Sequence, residues 1–439
     1  MSQVDTLIHA RWLIPVEPDN TVLEHHALAI EDGRIVDILP SDEASAKYSA
    51  HTEKRLDSHA LIPGLVNAHT HASMSLMRGM SDDLPLMEWL QDHIWPAEAK
   101  WVSPEFVHDG TEMAIAEMLK SGTTCFHEMY FFPDTVARVA SQSGMRACVG
   151  IIVIDFPTAW ASDIDEYFRK GIVVHDQFRN NSLISTSFAP HAPYTVSDEP
   201  LSRIATYAEE LDIPIHIHVH EIEDEVTRAV AETGKRPLQR LQELGLVSPR
   251  LIAVHMTQLV DEEIEMMAES GGHVVHCPQS NLKLASGFSP VAKLMQAGVN
   301  VALGTDGAAS NNDLDMFAEM QTAALLAKAV AGDATALPAA QALRMATLNG
   351  ARALGLEQEI GSLEVGKAAD ITAVDLGQLS TQPVYHPISQ LVYAAGREQV
   401  SDVWVAGRHL LKQGQLTSLD EASIITRASS WREKMSDFD

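Results

Sequence analysis

The sequence predicts an α/β chain: a (β/α)₈ barrel of the TIM type over residues 61–360, carrying a small β-sandwich built from both ends, residues 1–60 and 361–439. Three observations lead there. Apolar, strand-like runs alternate with helical patterns eight times over roughly 290 residues, the rhythm of a closed parallel barrel. The flanking stretches read as short strands with no helices of barrel length between them. Histidines and acids also sit at the ends of five of the eight apolar runs, where barrels carry their chemistry.

In chain order, Ala27–Ile30 and Arg34–Leu39 flank Asp32-Gly33, a hairpin signal because glycine tolerates positive φ. The barrel rhythm starts at Leu61. Ser103-Pro104-Glu105 is an N-cap, a proline at the first helical position and a first-turn acid. The helix it opens presents Ile115, Met118 and Leu119 on one face and stops at Gly122. Leu201, Ile204, Ala205, Ala208 and Leu211 repeat at helical spacing. The eight strands are expected near Leu65, Thr124, Val149, Ser185, Ile217, Ala253, Val275 and Ala302, with helices over much of 314–354. Short strands return at Ile371–Val374 and Val403–Val405, and the tail 422–439 reads as helical or frayed.

At 439 residues and 46% hydrophobic content, the chain can bury a large core with a smaller one beside it. Its 31 basic against 60 acidic residues leave a net charge of −29. No basic stretch stands out, which argues against nucleic acid and anionic membrane as partners. Cys125, Cys148 and Cys277 are too scattered for a disulfide framework or a Cys-x-x-Cys zinc site. The N-terminus lacks a basic segment followed by a long apolar one, and no run of about 18 apolar residues occurs. The expectation is a cytoplasmic homo-oligomer acting on a small molecule.

The segment Leu61–His71 carries most information. In a strand, residues i and i+2 share a face, so His69 and His71 project together and can share one metal ion. Further along, the fourth run ends near His191, the fifth in the stretch His216–Glu221, the sixth in His255 and the eighth in Gly304-Thr305-Asp306-Gly307. A buried polar group left unpaired costs roughly 1–3 kcal/mol. Five such groups at strand ends are therefore hard to explain as core packing. In the fifth run, period two puts His216, His218 and His220 on one face.

Taken together, His69-Thr70-His71, His218-x-x-Glu221, His255 and Thr305-Asp306-Gly307 resemble the amidohydrolase superfamily, in its branch of nucleobase deaminases and s-triazine hydrolases. The resemblance runs through Gly361–Asp370 near the C-terminus. Within the branch, the segments around Arg78-Gly79, Glu88-Trp89-Leu90, Trp95–Glu98, His191–Thr195 and Asp306–Asp313 are similar to deaminases of 5′-methylthioadenosine and S-adenosylhomocysteine.

The resemblance implies one divalent metal held by His69, His71, His218 and Asp306, with Zn²⁺ the first expectation and Fe²⁺ the alternative. A single ion is expected because 184–191, the end of the fourth strand, has no lysine of the kind that bridges two metals in relatives. It implies a reaction in which activated water attacks the amino-bearing ring carbon. Glu221 acts as general acid and proton shuttle, Asp306 takes the proton from the water, and His255 orients the nucleophile. His191 is expected at the base or ribose, Glu98 at the ribose hydroxyls, Trp89 as an apolar wall and Ser310 at the far substituent. His216 is expected as an interior residue, His220 as a residue behind the ligands or in the loop, and Arg169 as a tail-binding candidate by location only. The rival readings are a guanine, cytosine or s-triazine hydrolase (an aminohydrolase or a chlorohydrolase) on the same metal site, and a barrel scaffold without catalysis.

Overall fold

A computed structural model describes residues 1–436. Eight parallel strands form one sheet in strict chain order: Leu65–Thr70, Thr123–Glu128, Arg146–Val153, Ile184–Pro190, Ile215–Val219, Leu251–His255, His273–His276 and Asn300–Leu303. All eight fall where the alternation of apolar runs and helical patterns places them. The first three are buried along their whole length, as parallel strands covered by helices on the outside must be. A bridge between Thr70 and Asp306, with the Asp306 amide donating to the His69 carbonyl at 3.0 Å, ties the first strand to the segment after the eighth. Gly304 permits this approach, since a Cβ there would stand 2.8 Å from the His69 backbone nitrogen.

The barrel helices follow their sequence signals. Ser103 caps the helix Pro104–Lys120, its hydroxyl accepting from the Phe106 amide at 3.2 Å. The helix Asp198–Leu211 buries Leu201, Ile204 and Ala208 against the barrel. Helices Met316–Ala331, Ala339–Met345 and Leu348–Ala353 occupy the region after the eighth strand. The helix Glu421–Met435 covers most of the tail, and residues 437–439 lie outside the described residues.

The chain ends build a second eight-stranded sheet, ordered Gln415–Leu416, Arg408–Lys412, Val400–Val405, Ile371–Asp375, Tyr48–Pro63, Ser2–Leu13, Leu23–Glu31, Arg34–Pro40. The two ends meet where Ile371–Asp375 pairs antiparallel with 59–63. The expected hairpin is present, with Asp32 and Gly33 at φ +50° and +75°. Two strands are longer than expected: Ser2–Leu13 and Tyr48–Pro63 pair in parallel along most of their length. The first half of Tyr48–Pro63 is polar and largely exposed, so it lacks the alternation by which a half-buried strand is read. The helix Ser41–Lys47 was not expected; only Ala44 in it is buried. Gly64 separates the two sheets in the chain. A buried ion pair joins them in space, Arg146 Nε to Asp370 Oδ2 at 2.9 Å and Nη2 to Oδ1 at 3.1 Å.

Candidate active site

The C-terminal ends of the barrel strands bring His69, His71, His218, His255 and Asp306 together at one point. The first strand delivers His69 and His71, the fifth His218, the sixth His255, and the turn after the eighth Asp306. Left-handed backbone at His255 and Asp306, φ +74° and +63°, turns both residues. Such strain in residues other than glycine gathers at functional sites.

Three imidazoles point the same nitrogen inward. The Nδ1 atom of His71 faces the Met129 carbonyl at 2.5 Å, that of His218 the His191 carbonyl at 2.7 Å, and that of His69 the His216 Nε2 at 2.8 Å. A carbonyl only accepts, so His71 and His218 donate from Nδ1. His69 Nε2 lies 3.2 Å from His218 Nε2 and 3.3 Å from Asp306 Oδ1, which is 3.2 Å from His71 Nε2. Four ligands about 2.1 Å from one ion at tetrahedral angles stand about 3.4 Å apart. The spacing and the donor set, three imidazoles and one carboxylate, therefore fit a divalent metal such as zinc. His69, His255 and Asp306 form an overlapping group whose ligand atoms lie within 4.8 Å of one another.

Electrostatics agree with that fit. Burial drives His69 down to about 4 and His218 well below the ordinary histidine value, so both rings are neutral near pH 7. Burial also opposes charge on His71, but the hydrogen bond and charge of Asp306 outweigh it and raise His71 to about 9. Burial alone would lift Asp306; its bonds to His69 and His71 hold it well below the usual carboxylate range. A proton on His71 thus balances the buried Asp306 carboxylate, and a divalent cation bound there would take that proton's place.

Around this point lies a partly open cavity. His71, Trp89, Glu98, His191, His218, Glu221, His255, Asp306 and Ser310 all line it. Glu221 Oε2 stands 3.7 Å from His255 Nε2. Burial raises the Glu221 carboxyl, with His255 opposing. Burial pushes Glu98 up to about 7 against Tyr130 and His71. His191 Nδ1 lies 2.8 Å from the Thr195 hydroxyl, which also reaches the Ala192 carbonyl at 3.2 Å. With that hydroxyl donating to the carbonyl, His191 donates from Nδ1 and keeps Nε2 as an acceptor. Trp89 is buried, its indole N–H donating to the Ser81 carbonyl at 3.1 Å.

Ser310, expected at the far substituent, lines the cavity with its hydroxyl 3.0 Å from Asp306 Oδ2. Two placements differ from expectation. Arg169 sits exposed on the outer helix Ile164–Phe178, 3.4 Å from Glu166, and does not line the cavity. His220 does not share a face with His216 and His218, because the strand ends at Val219 and His220 takes φ +55°. Its Nε2 accepts from the Leu238 amide at 3.2 Å, on a following helix.

Several supporting residues escaped the sequence reading. Glu225 accepts from the His220 and Glu221 amides at 3.0 and 2.8 Å, fixing the backbone that carries Glu221. Asn281 Oδ1 meets His255 Nδ1 at 2.8 Å, and the Ser280 hydroxyl meets Asp306 Oδ2 at 2.7 Å. Glu128 accepts from the Ala72 amide and the Thr70 hydroxyl, both at 2.8 Å, under the His71 turn. The run Gln279-Ser280-Asn281 just beyond the seventh strand was the available signal.

Comparison with known proteins adds to this geometry. The model of the amidohydrolase family matches residues 60–410. A 5-methylthioadenosine/S-adenosylhomocysteine deaminase from Teredinibacter turnerae is 52% identical over 98% of both chains. One of the same name from Thermodesulfovibrio yellowstonii is 43% identical, again over 98% of both. Among solved structures, an adenosine deaminase from Xanthomonas campestris with bound zinc superposes with a TM-score of 0.99, at 57% identity over 99% of both chains. A zinc-bound atrazine chlorohydrolase from Arthrobacter aurescens has the same fold, with a TM-score of 0.91 at 22% identity, covering 97% of this chain and 99% of its own.

Proposed function

Since the chain belongs to the amidohydrolase family, we propose that it is a zinc-dependent deaminase that releases the 6-amino group of 5′-thio-substituted adenosines as ammonia and leaves the inosine analogue. One observation carries the reading: four inward-facing ligand atoms from His69, His71, His218 and Asp306 meet at metal-ligand spacing beside the buried acid Glu221. The likeness to relatives named for this activity, over nearly the whole chain, supports the substrate class.

When bound, the divalent cation supplies water activated for attack at neutral pH. The rest is work for the chain's own side chains. Glu221, raised by burial, gives a proton to the ring nitrogen beside the amino-bearing carbon, so the ring can accept electrons. Asp306 takes the proton released by the attacking water and passes it to the leaving amino group, which departs as ammonia, while the remaining hydroxyl proton returns to Glu221 as the ring carbonyl forms. His255, held by Asn281, orients the attacking oxygen. His191 offers an acceptor nitrogen to the base. Glu98, acceptor-only when ionised, receives both vicinal ribose hydroxyls.

The cavity wall formed by Met129, Phe131, Ile152, Leu86, Leu90 and Ile94 is apolar, and no lysine or arginine lines it. In the groove that meets the cavity at Leu86, Tyr194 and Glu221 and forms its mouth, Arg228 is paired with Asp224, Arg240 with Asp198 and Lys235 with Glu243. A neutral methylthio group suits this wall, whereas the carboxylate of a homocysteinyl tail finds no uncommitted cation lining it. We therefore place 5′-methylthioadenosine ahead of S-adenosylhomocysteine. The three cysteines are buried free thiols, which fits a reducing compartment such as the cytoplasm. No helix among the described residues is long and apolar enough to cross a membrane.

Ammonia release measured across 5′-methylthioadenosine, S-adenosylhomocysteine, adenosine, guanine and cytosine tests the reading. Turnover of the thio-nucleosides supports it. Turnover of guanine or cytosine alone would replace it with a nucleobase hydrolase.

A further inference from the structure

Beneath the metal centre lies a second layer of histidines that the reaction above does not use. His216 sits two residues before His218 on the fifth barrel strand, fully buried, and its Nε2 lies 2.8 Å from His69 Nδ1. Its ring stacks on His127 of the second strand, centroids 3.7 Å apart and planes 14° from parallel. His127 Nε2 in turn meets the Ser187 hydroxyl at 2.7 Å.

His69, His127 and His216 could be taken for a second metal site, since one nitrogen of each lies within a common 4.8 Å. Two nitrogens each about 2.1 Å from a tetrahedral ion stand about 3.4 Å apart; 2.8 Å is instead a hydrogen-bond distance. With His69 Nε2 facing Asp306 and His218, a ligand lone pair on Nε2 leaves the His69 proton on Nδ1. His216 must then accept through Nε2 and carry its own proton on Nδ1.

We propose that His216 is a positioning residue that fixes the tautomer and ring plane of His69, so that Nε2 of His69 faces the metal. His71 and His218 are held by the carbonyls of Met129 and His191, which can only accept. His69 is held by a side chain that must itself be in the right tautomer. The Nδ1 atoms of both His216 and His127 are buried without a hydrogen-bond partner. An aliphatic or phenyl side chain would fill this layer without an orphaned polar atom. What imidazole adds is the acceptor facing His69. His127 supplies the flat surface that sets the plane of the His216 ring.

The inference rests on His69 being a ligand. Replacing the outer partner of a metal-bound histidine typically weakens metal binding by about 10–100-fold. Zinc affinity, measured by competition with a chelator, should fall by about that factor in His216→Met, which has no comparable acceptor. It should stay near the parent value in His216→Gln, whose side-chain oxygen reaches the same place. Equal affinity in parent and His216→Met, or equal loss in the Met and Gln variants, would overturn the proposal. The ¹⁵N spectrum of the zinc-loaded parent gives a test independent of variant folding: the His216 proton is expected on Nδ1, and a proton on Nε2 would overturn the assignment. A parent that takes up no zinc defeats the underlying reading as well, which separates the two failures.

Discussion

The Nε2 atoms of His69 and His218 face each other at 3.2 Å, while the second nitrogen of each ring is held by His216 and by the His191 carbonyl. With the proton of each ring on Nδ1, the lone pairs on both Nε2 atoms would repel at that separation unless a cation lies between them. His218→Ala removes one of these ligands, and both metal content and turnover are expected to be lost together. Elemental analysis beside an ammonia assay checks this; a variant that keeps its zinc would contradict the ligand assignment, and full activity with zinc lost would contradict the need for metal.

Glu221 lines the cavity but is not among the four side chains whose ligand atoms meet at the metal point. Glu221→Gln should therefore retain zinc while turnover falls by about 10²–10⁴-fold, the range for removing a general acid–base group. Steady-state rates on metal-analysed protein decide it, and parent-level turnover would refute the proton-transfer role.

Glu98 is raised to about 7, by burial first, with Tyr130 and His71 opposing. Above that value its carboxylate can accept both ribose hydroxyls; below it the carboxyl is neutral and binds them less well. KM for a nucleoside should rise as pH falls through about 7, and this dependence should disappear in Glu98→Gln. A KM profile unaffected by the substitution would remove Glu98 from ribose recognition.

The paired cations at the mouth and the apolar wall inside it set an order of substrates. An unpaired carboxylate forfeits hydrogen bonds worth about 1.5–3 kcal/mol, so kcat/KM for 5′-methylthioadenosine should exceed that for S-adenosylhomocysteine by at least about tenfold. Equal values would mean that an arginine outside the present lining reaches the tail.

The barrel was legible because each of its strands is an apolar run ended by a break, and because histidine or acid at strand ends has little structural use. His69, His71 and Asp306 stood out for that reason, while the choice of His218 among the histidines of the fifth run came from the family resemblance. Sequence order could not show that the turn after Asp306 folds back so that the Ser310 hydroxyl meets its carboxylate. His220 misled because strict alternation holds only while the strand lasts, and this one ends a residue earlier. His127, Asn281 and Glu225 act through another residue, and contacts such as His127 on His216 or Asn281 on His255 join separate strands or loops. No local pattern encodes such pairs.

Asp370 illustrates the same limit in the fold. It directly precedes the expected strand Ile371–Val374, and it is buried and binds the Arg146 guanidinium with two oxygens. Removing one partner of a buried pair leaves the other charge uncompensated, at about 3–5 kcal/mol. Asp370→Ala should lose about that much in denaturant unfolding, with the metal point itself intact; a loss under about 1 kcal/mol would show the pair to be incidental.

The most direct test of the account is to strip the protein with a chelator, return zinc in measured steps and follow ammonia release from 5′-methylthioadenosine. One coordination sphere made by His69, His71, His218 and Asp306 predicts no activity at zero zinc, a linear rise, and a break at one zinc per chain. Activity that survives complete removal of the metal, or a break at two equivalents, would contradict it.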